Sequence, residues 1–148
     1  MKIIAHRGNL NGPTSNENSL KSIDNVLNTD FDIEIDVWVK DNKIWLGHDQ
    51  PDTLLSPTVL YANSSKFWIH CKNKEALLYF SEIDEFNYLY HHADDYTLTS
   101  KKYIWVYPNK PLIKRSICVM PEYGINGDIN VCSGLCTDYP LKYKDEYK

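Results

Sequence analysis

The chain has 148 residues, 43% of them apolar, with no interdomain linker, internal repeat or low-complexity tract, so it is read as one domain over residues 1–148 with a single core. Lys and Arg number 16 against 20 Asp and Glu, the net charge is −4, and the lysines are scattered, which excludes the basic footprint of a nucleic-acid binder. No stretch approaches the roughly 18 apolar residues of a membrane span, and the first residues lack a signal peptide's apolar run, so a cytoplasmic protein is expected.

Lys2 to Ala5 begins a short β-rich run that ends in His6-Arg7-Gly8, and the Asn-, Gly-, Pro- and Ser-rich stretch from Asn9 to Asn16 is loop. Leu20, Ile23, Val26 and Leu27 recur at helical steps, with Ser19 or Asn18 as N-cap. Phe31 to Val39 reads as a strand in which Asp32, Glu34 and Asp36 alternate with apolar residues. Asp41-Asn42 is a turn, and Lys43 to Leu46 is the returning arm of a hairpin leading to Gly47-His48-Asp49. A strand follows at Phe67 to Lys72, a helix from about Lys74 to Ile83, and another strand at Asn87 to His92.

Beyond this point Tyr103 to Tyr107, Ser116 to Met120 and Leu135 to Thr137 read as strands, but their links lack helical periodicity and contain Pro108, Pro111, Pro121 and Gly124. The four cysteines show no metal or redox spacing and are expected as buried free thiols. Strands alternating with helices imply a parallel sheet, and seven or eight short strands suggest closure. A TIM barrel usually takes about 250 residues. The expected fold is therefore α/β, a shortened TIM-like (β/α) barrel with several outer helices missing in the C-terminal half.

Polar residues cluster at the carboxyl ends of these strands: His6 and Arg7, Glu34 and Asp36, His70 and Lys72, His91 and His92. In a parallel α/β barrel those ends converge on the face that carries active sites. Glu34 and Asp36 point to one side of their strand, and two carboxylates in one pocket call for a hard divalent ion between them. The alternative is a solvent-facing strand side carrying Asp32, Glu34 and Asp36. The hairpin brings His48 opposite Ile35, and a bulge or break at Gly47 is required to turn it inward. His6 and His48 then suit an acid–base pair, Arg7 a bidentate phosphate ligand and Lys72 a point charge for the same phosphate.

His6-Arg7-Gly8, Asn16-Glu17-Asn18-Ser19, Asp32-Ile33-Glu34-Ile35-Asp36-Val37, Gly47-His48-Asp49, His70-Cys71-Lys72 and Thr137-Asp138-Tyr139-Pro140 follow in order the pattern of the glycerophosphodiester phosphodiesterase family. The chain thus resembles a shortened member of the PI-PLC-like phosphodiesterase superfamily. The resemblance implies a barrel enzyme that hydrolyses glycerophosphodiesters with a divalent ion, magnesium or calcium in the first place. By position, His6 and His48 would be the acid–base pair, Arg7 and Lys72 would hold phosphate, Glu34 and Asp36 would bind the metal, and Glu17 would orient the groups around it.

Departures from the pattern shape what is expected. Asn16 and Ser19 replace Pro and Thr of the family's P-E-N-T loop. His70 replaces the glutamate that is normally the third metal ligand; as a ligand itself it would shift preference toward manganese or zinc. Alternatively His70 only hydrogen-bonds a neighbour, with Asp94, Asp95, Glu122 or water completing the shell. At most one of His91 and His92 is expected to face the interior. The stretch between His48 and Phe67, where the family carries an inserted substrate-binding subdomain, is short.

The reading is a metal-assisted phosphodiesterase of a small glycerophosphodiester-like substrate, attacked by water or by a neighbouring substrate hydroxyl. Its rivals are a phosphate-binding module without turnover and a histidine-rich metal phosphomonoesterase. Apolar strands left bare around Tyr103 to Tyr107 and Ile117 to Met120 would favour a homo-oligomer.

Overall fold

The structure, a computed structural model, describes residues 1–147. Strand β2 (Asp32–Lys40) organises it. The nine residues of β2 are long enough to serve three neighbours: β1 (Lys2–Ala5) beside its start, β3 (Lys43–Leu46) beside its end, and β5 (Phe67–Cys71) along its other edge. The hairpin forms in the expected register, Val37 opposite Leu46 and Lys40 opposite Lys43. Asp41 and Asn42 both take positive φ, 53° and 56°, as a type I′ turn demands. Strand β4 (Thr53–Leu55), which the sequence pattern did not reveal, extends the hairpin antiparallel to β3.

From β5 the sheet runs in parallel to β6 (Asn87–Leu89) on one side, while β1 continues in parallel through β10 (Gly134–Thr137), β9 (Ser116–Val119) and β8 (Ile104–Val106) on the other. A further short strand, β7 (Tyr96–Leu98), folds back antiparallel on β8.

The expected shortened TIM-like barrel is thereby corrected. Strand β6 pairs with β5 alone and β7 with β8 alone, so the ten-stranded sheet is mixed and open. A closed barrel needs a ladder between its first and last strands. Here the two edges meet through the turn after β7: the Ser100 N–H donates to the Tyr88 carbonyl at 2.8 Å, Ser100 Oγ accepts from the Tyr88 N–H at 3.0 Å, and the Lys101 N–H donates to Asn87 Oδ1 at 3.3 Å. Strand β7 opposes its neighbour and is three residues long, which leaves no continuous edge for β6 to join.

The sheet nevertheless curls. Period-two alternation sends Ile33, Ile35 and Val37 to its convex side, where they pack with Ile23 and Val26 of helix α1 (Leu20–Leu27) and Ala76 and Phe80 of helix α3 (Lys74–Ser81). Ser19 caps α1 through a reciprocal box with Ser22, and Asn73 caps α3 while its amide bridges both backbone groups of Val39. Helix α2 (Pro57–Ala62) adds Leu60 to this core. The concave side holds Ile4, Trp68, Leu89, Trp105, Ile117 and Cys136.

Helix α4 (Pro140–Glu146), also unforeseen, covers the late strands by placing Tyr143 against Cys118 and Leu135. The links between the late strands hold no α-helix, and that between β9 and β10 contains two 3₁₀ turns. All four cysteines are free and buried, as expected. Of the strands expected to be bare, Trp105, Val106, Ile117, Cys118, Val119 and Met120 are buried within the chain itself, Tyr103 and Ile104 are partly buried, and Tyr107 is 50% exposed. No helix among the described residues is long and apolar enough to cross a membrane.

Candidate active site

The concave side of β2 carries Glu34 and Asp36, 2% and 1% exposed, at the bottom of a cavity of about 550 Å³. Solvent-facing strand acids would be exposed, so that alternative fails for these two. It fails for Asp32 as well, which accepts from the Trp68 indole N–H at 3.1 Å and from Lys2 Nζ at 3.0 Å near the opposite end of the strand.

Each buried carboxylate is held differently. Glu34 Oε2 accepts the backbone N–H of Arg7 at 3.0 Å, which becomes available because Arg7 adopts φ 51° just beyond β1. Asp36 is gripped by Asn18, whose Nδ2 donates to Oδ2 and whose Oδ1 accepts the Asp36 N–H, both at 2.9 Å. Around it stand His70 Nδ1 at 3.0 Å, Arg7 Nε at 3.3 Å and Lys72 Nζ at 3.6 Å.

This asymmetry separates their acidities. Burial and the neighbouring Asp36 charge push Glu34 above the usual carboxylate range. Burial opposes the charge on Asp36 too, but the hydrogen bond and charge of His70, with Lys72 and Arg7, hold it well below that range.

His6, in the turn after β1, lies 4.0 Å from Glu34 through Nε2, while its Nδ1 is 2.8 Å from Asp138 Oδ1. A carboxylate is an acceptor only, so the proton sits on Nδ1 and leaves Nε2 for exchange in the cavity. Burial works against a charged His6 ring, but the Asp138 hydrogen bond and the Glu34 and Asp138 charges outweigh it and raise its pKa. Asp138 receives a second hydrogen bond from Asn9 Nδ2 at 2.8 Å. The same Asn9 amide donates at 2.8 Å to Glu17, which accepts from Arg7 NH1 at 3.2 Å. Glu17 thus holds the Arg7 guanidinium through NH1.

Asp138, Asn9 and Asn18 were not foreseen as site residues. The signals were the position of Asp138 directly after the last strand, in the run Thr137-Asp138-Tyr139-Pro140, and that of Asn18 within Asn16-Glu17-Asn18-Ser19.

His48 reaches the same cavity by the break that the hairpin geometry required. Strand β3 stops at Leu46, and Gly47 adopts φ 150° with its N–H on the Asp36 carbonyl at 3.2 Å. A Cβ on Gly47 would lie 1.9 Å from the Gln50 carbonyl oxygen, so only glycine fits. The His48 side chain is 44% exposed at the cavity border, with Nδ1 2.7 Å from Asp49 Oδ1. His6 and His48 are thus each tied to an aspartate through Nδ1, as His70 is to Asp36.

His70 stands on β5 opposite Asp36 and is stacked by His91, ring centroids 4.5 Å apart and planes within 9°. Burial, then the His70 and Lys72 charges, lower the His91 pKa to about 4, keeping it neutral. Both His91 and His92 border the cavity, where at most one was expected inside; β6 ends at Leu89, so strand alternation no longer governs them.

The proposed stand-ins for a third acidic ligand lie elsewhere. Glu122 accepts from Thr137 Oγ1 and from the Asp138 N–H, both at 2.9 Å, Asp95 pairs with Lys110, and Asp94 accepts the His92 N–H.

Glu34, Asp36 and His70 present ligand atoms that all lie within 4.8 Å of one another, a group able to hold a metal ion. Two buried carboxylates that oppose each other's charge, with one imidazole, are a donor set suited to a divalent cation. No family model, no curated protein and no solved structure matches the chain.

Proposed function

We propose that the chain is a metal-assisted phosphodiesterase that hydrolyses a small phosphodiester with His6 and His48 as an acid–base pair. The observation that carries this reading is the His6–Asp138 pair abutting the Glu34, Asp36 and His70 group in one cavity, with Arg7 and Lys72 beside it. The ordered motifs shared with the glycerophosphodiester phosphodiesterase family support the same chemistry.

Glu34, Asp36 and His70 would hold the ion, which when bound would draw negative charge from the phosphoryl oxygens. Arg7 and Lys72 supply the remaining positive charge toward a phosphate monoanion. One imidazole takes a proton from the attacking hydroxyl through Nε2 while the other protonates the departing oxygen. His6, raised in pKa and fixed by Asp138, is suited to arrive protonated and serve as the acid; His48, more exposed and paired with Asp49, serves as the base. Asp138 and Asp49 hold each ring in the tautomer that leaves Nε2 to exchange protons. Retaining both imidazole–carboxylate pairs would be without purpose in a module that only binds phosphate.

The test is cleavage of a chromogenic phosphodiester by the purified protein, with manganese or magnesium present and after chelation. Turnover that needs the ion and falls about 10²–10⁴-fold in each of His6→Ala and His48→Ala is expected. Equal turnover in both variants and the wild type would reject the assignment.

A further inference from the structure

The cavity is built in two halves. Its acidic side chains and its Arg and Lys come from adjacent strands and the segments after them: Asp138 after β10, Arg7 and Glu17 after β1, Glu34 and Asp36 on β2, Lys72 after β5. His48, His91 and His92 also border it, and on the side formed by β8, β9 and the segments that follow them the lining changes to Trp105, Tyr107, Pro108, Val119, Met120 and Tyr123, without one charged group. Curling of the sheet sets this wall across from β5, since Trp105 lies 6.1 Å from Trp68 between ring centroids.

The wall is shaped by an uncommon backbone turn. Met120 ends β9 with φ 50° and ψ 58°, a left-handed conformation that a residue with a side chain adopts at a cost. Its N–H bonds the Cys136 carbonyl at 2.7 Å, and the 3₁₀ turn Pro121–Tyr123 follows at once. That turn delivers Glu122 to hold Asp138 and Tyr123 to the cavity border. Asn109 Nδ2 fixes Tyr123 by donating to its carbonyl at 2.8 Å. A glycine at position 120 would make the turn more easily but would remove the methionine from the wall.

We propose that this wall receives one ester substituent of the substrate and selects an apolar, ring-sized group, aryl or branched alkyl, over a polyol or a charged head. The inference rests on the phosphodiesterase reading for the placement of the phosphate at Arg7 and Lys72. A glycerol unit in this half would leave its hydroxyls facing Trp105, Val119 and Met120, which are 6%, 8% and 7% exposed and offer hydrocarbon, indole face and thioether. Desolvated hydroxyls without partners are costly, whereas a ring stacks on such a surface. Tyr107 and Tyr123, 50% and 63% exposed, stand at the outer rim, where they can close over a bound ring.

The experiment uses two non-hydrolysable phosphinate probes with the same anionic centre and P–C bonds on both sides, methyl(phenyl)phosphinate as the phenyl probe and (2,3-dihydroxypropyl)(methyl)phosphinate as the glyceryl probe. Their binding to the whole protein is measured by calorimetry, with and without manganese, for the wild type, Tyr107→Ala and Tyr123→Ala. Both tyrosines are exposed enough for truncation to leave the fold intact, which circular dichroism checks. The phenyl probe is expected to bind at least about tenfold more tightly than the glyceryl probe, and each truncation to weaken the phenyl probe by about two- to tenfold while leaving the glyceryl probe unchanged.

Equal affinity for the two probes, tighter binding of the glyceryl probe, or no binding of either would overturn the inference. So would a phenyl preference untouched by both truncations. Turnover is read separately: a phenyl preference in a protein that cleaves no diester would reject the phosphodiesterase reading and leave the apolar subsite standing.

Discussion

Asp138→Asn keeps the shape of the residue that fixes His6 and removes its charge. The bond in question joins His6 Nδ1 and Asp138 Oδ1 at 2.8 Å, with the two side chains only 16% and 5% exposed, so solvent screens it little. A buried hydrogen bond to a charged group contributes about 1.5–3 kcal/mol and a neutral one about 0.5–1.5, so the exchange should cost about 1–2 kcal/mol where His6 is protonated. The pH dependence follows from the directions of the shifts. His6 is raised, so its share of the stabilisation is complete below the unfolded value of about 6.5 and is lost as pH climbs through the higher folded value. Asp138 is lowered by His6 and Asn9 in spite of its burial, so its share is present above about 3.9 and is lost only as pH falls through the lower folded value. Urea unfolding of metal-free wild type and variant should therefore differ most between about pH 4 and 6.5 and converge in alkaline solution. A histidine titration followed by NMR should show His6 moving to lower pKa in the variant. A stability difference that is the same at all these pH values, or an unmoved His6, would refute the pairing.

Gly47→Ala should displace His48, because the new methyl must clear the Gln50 carbonyl from a φ that side chains avoid; loss of at least about 1 kcal/mol in denaturant unfolding is expected, with turnover falling alongside that of His48→Ala. His70→Glu should move metal preference toward magnesium or calcium, and His70→Ala should weaken binding of every ion in calorimetry; unchanged profiles in both would place His70 outside the ligand set.

The pairing of Glu34 with Asp36 was legible because it depends on a local period of two, and the arrival of His48 because the Asp41-Asn42 turn fixes a register that can be counted. His70 followed from its place on the strand beside β2. The openness of the sheet was not legible. Whether β6 meets β7 depends on contacts between distant segments, and Asn87–Leu89 and Tyr96–Leu98 are too short to carry a pattern of their own. Strand counting suggested closure where a turn, Ser100 and Lys101, does the joining. The partnership of Asp138 with Glu122, named only as a possible metal ligand, escaped notice for another reason: it depends on the left-handed turn at Met120, and a methionine gives no warning of that conformation. Asn9 and Asn18 sat within segments read as loop and as a matching motif, and their role is to satisfy buried carboxylates that sequence alone does not locate in space.

One titration bears most directly on whether this cavity is an ion-dependent phosphodiesterase site. Protein stripped with chelator is titrated with manganese while ion binding and phosphodiester turnover are followed in the same samples, for the wild type and for Glu34→Gln. In the wild type, turnover should rise from the stripped baseline in proportion to the filling of a single site, and Glu34→Gln should bind the ion more weakly and need correspondingly more of it. Turnover that survives stripping, or that stays absent while the site fills, would contradict the reading.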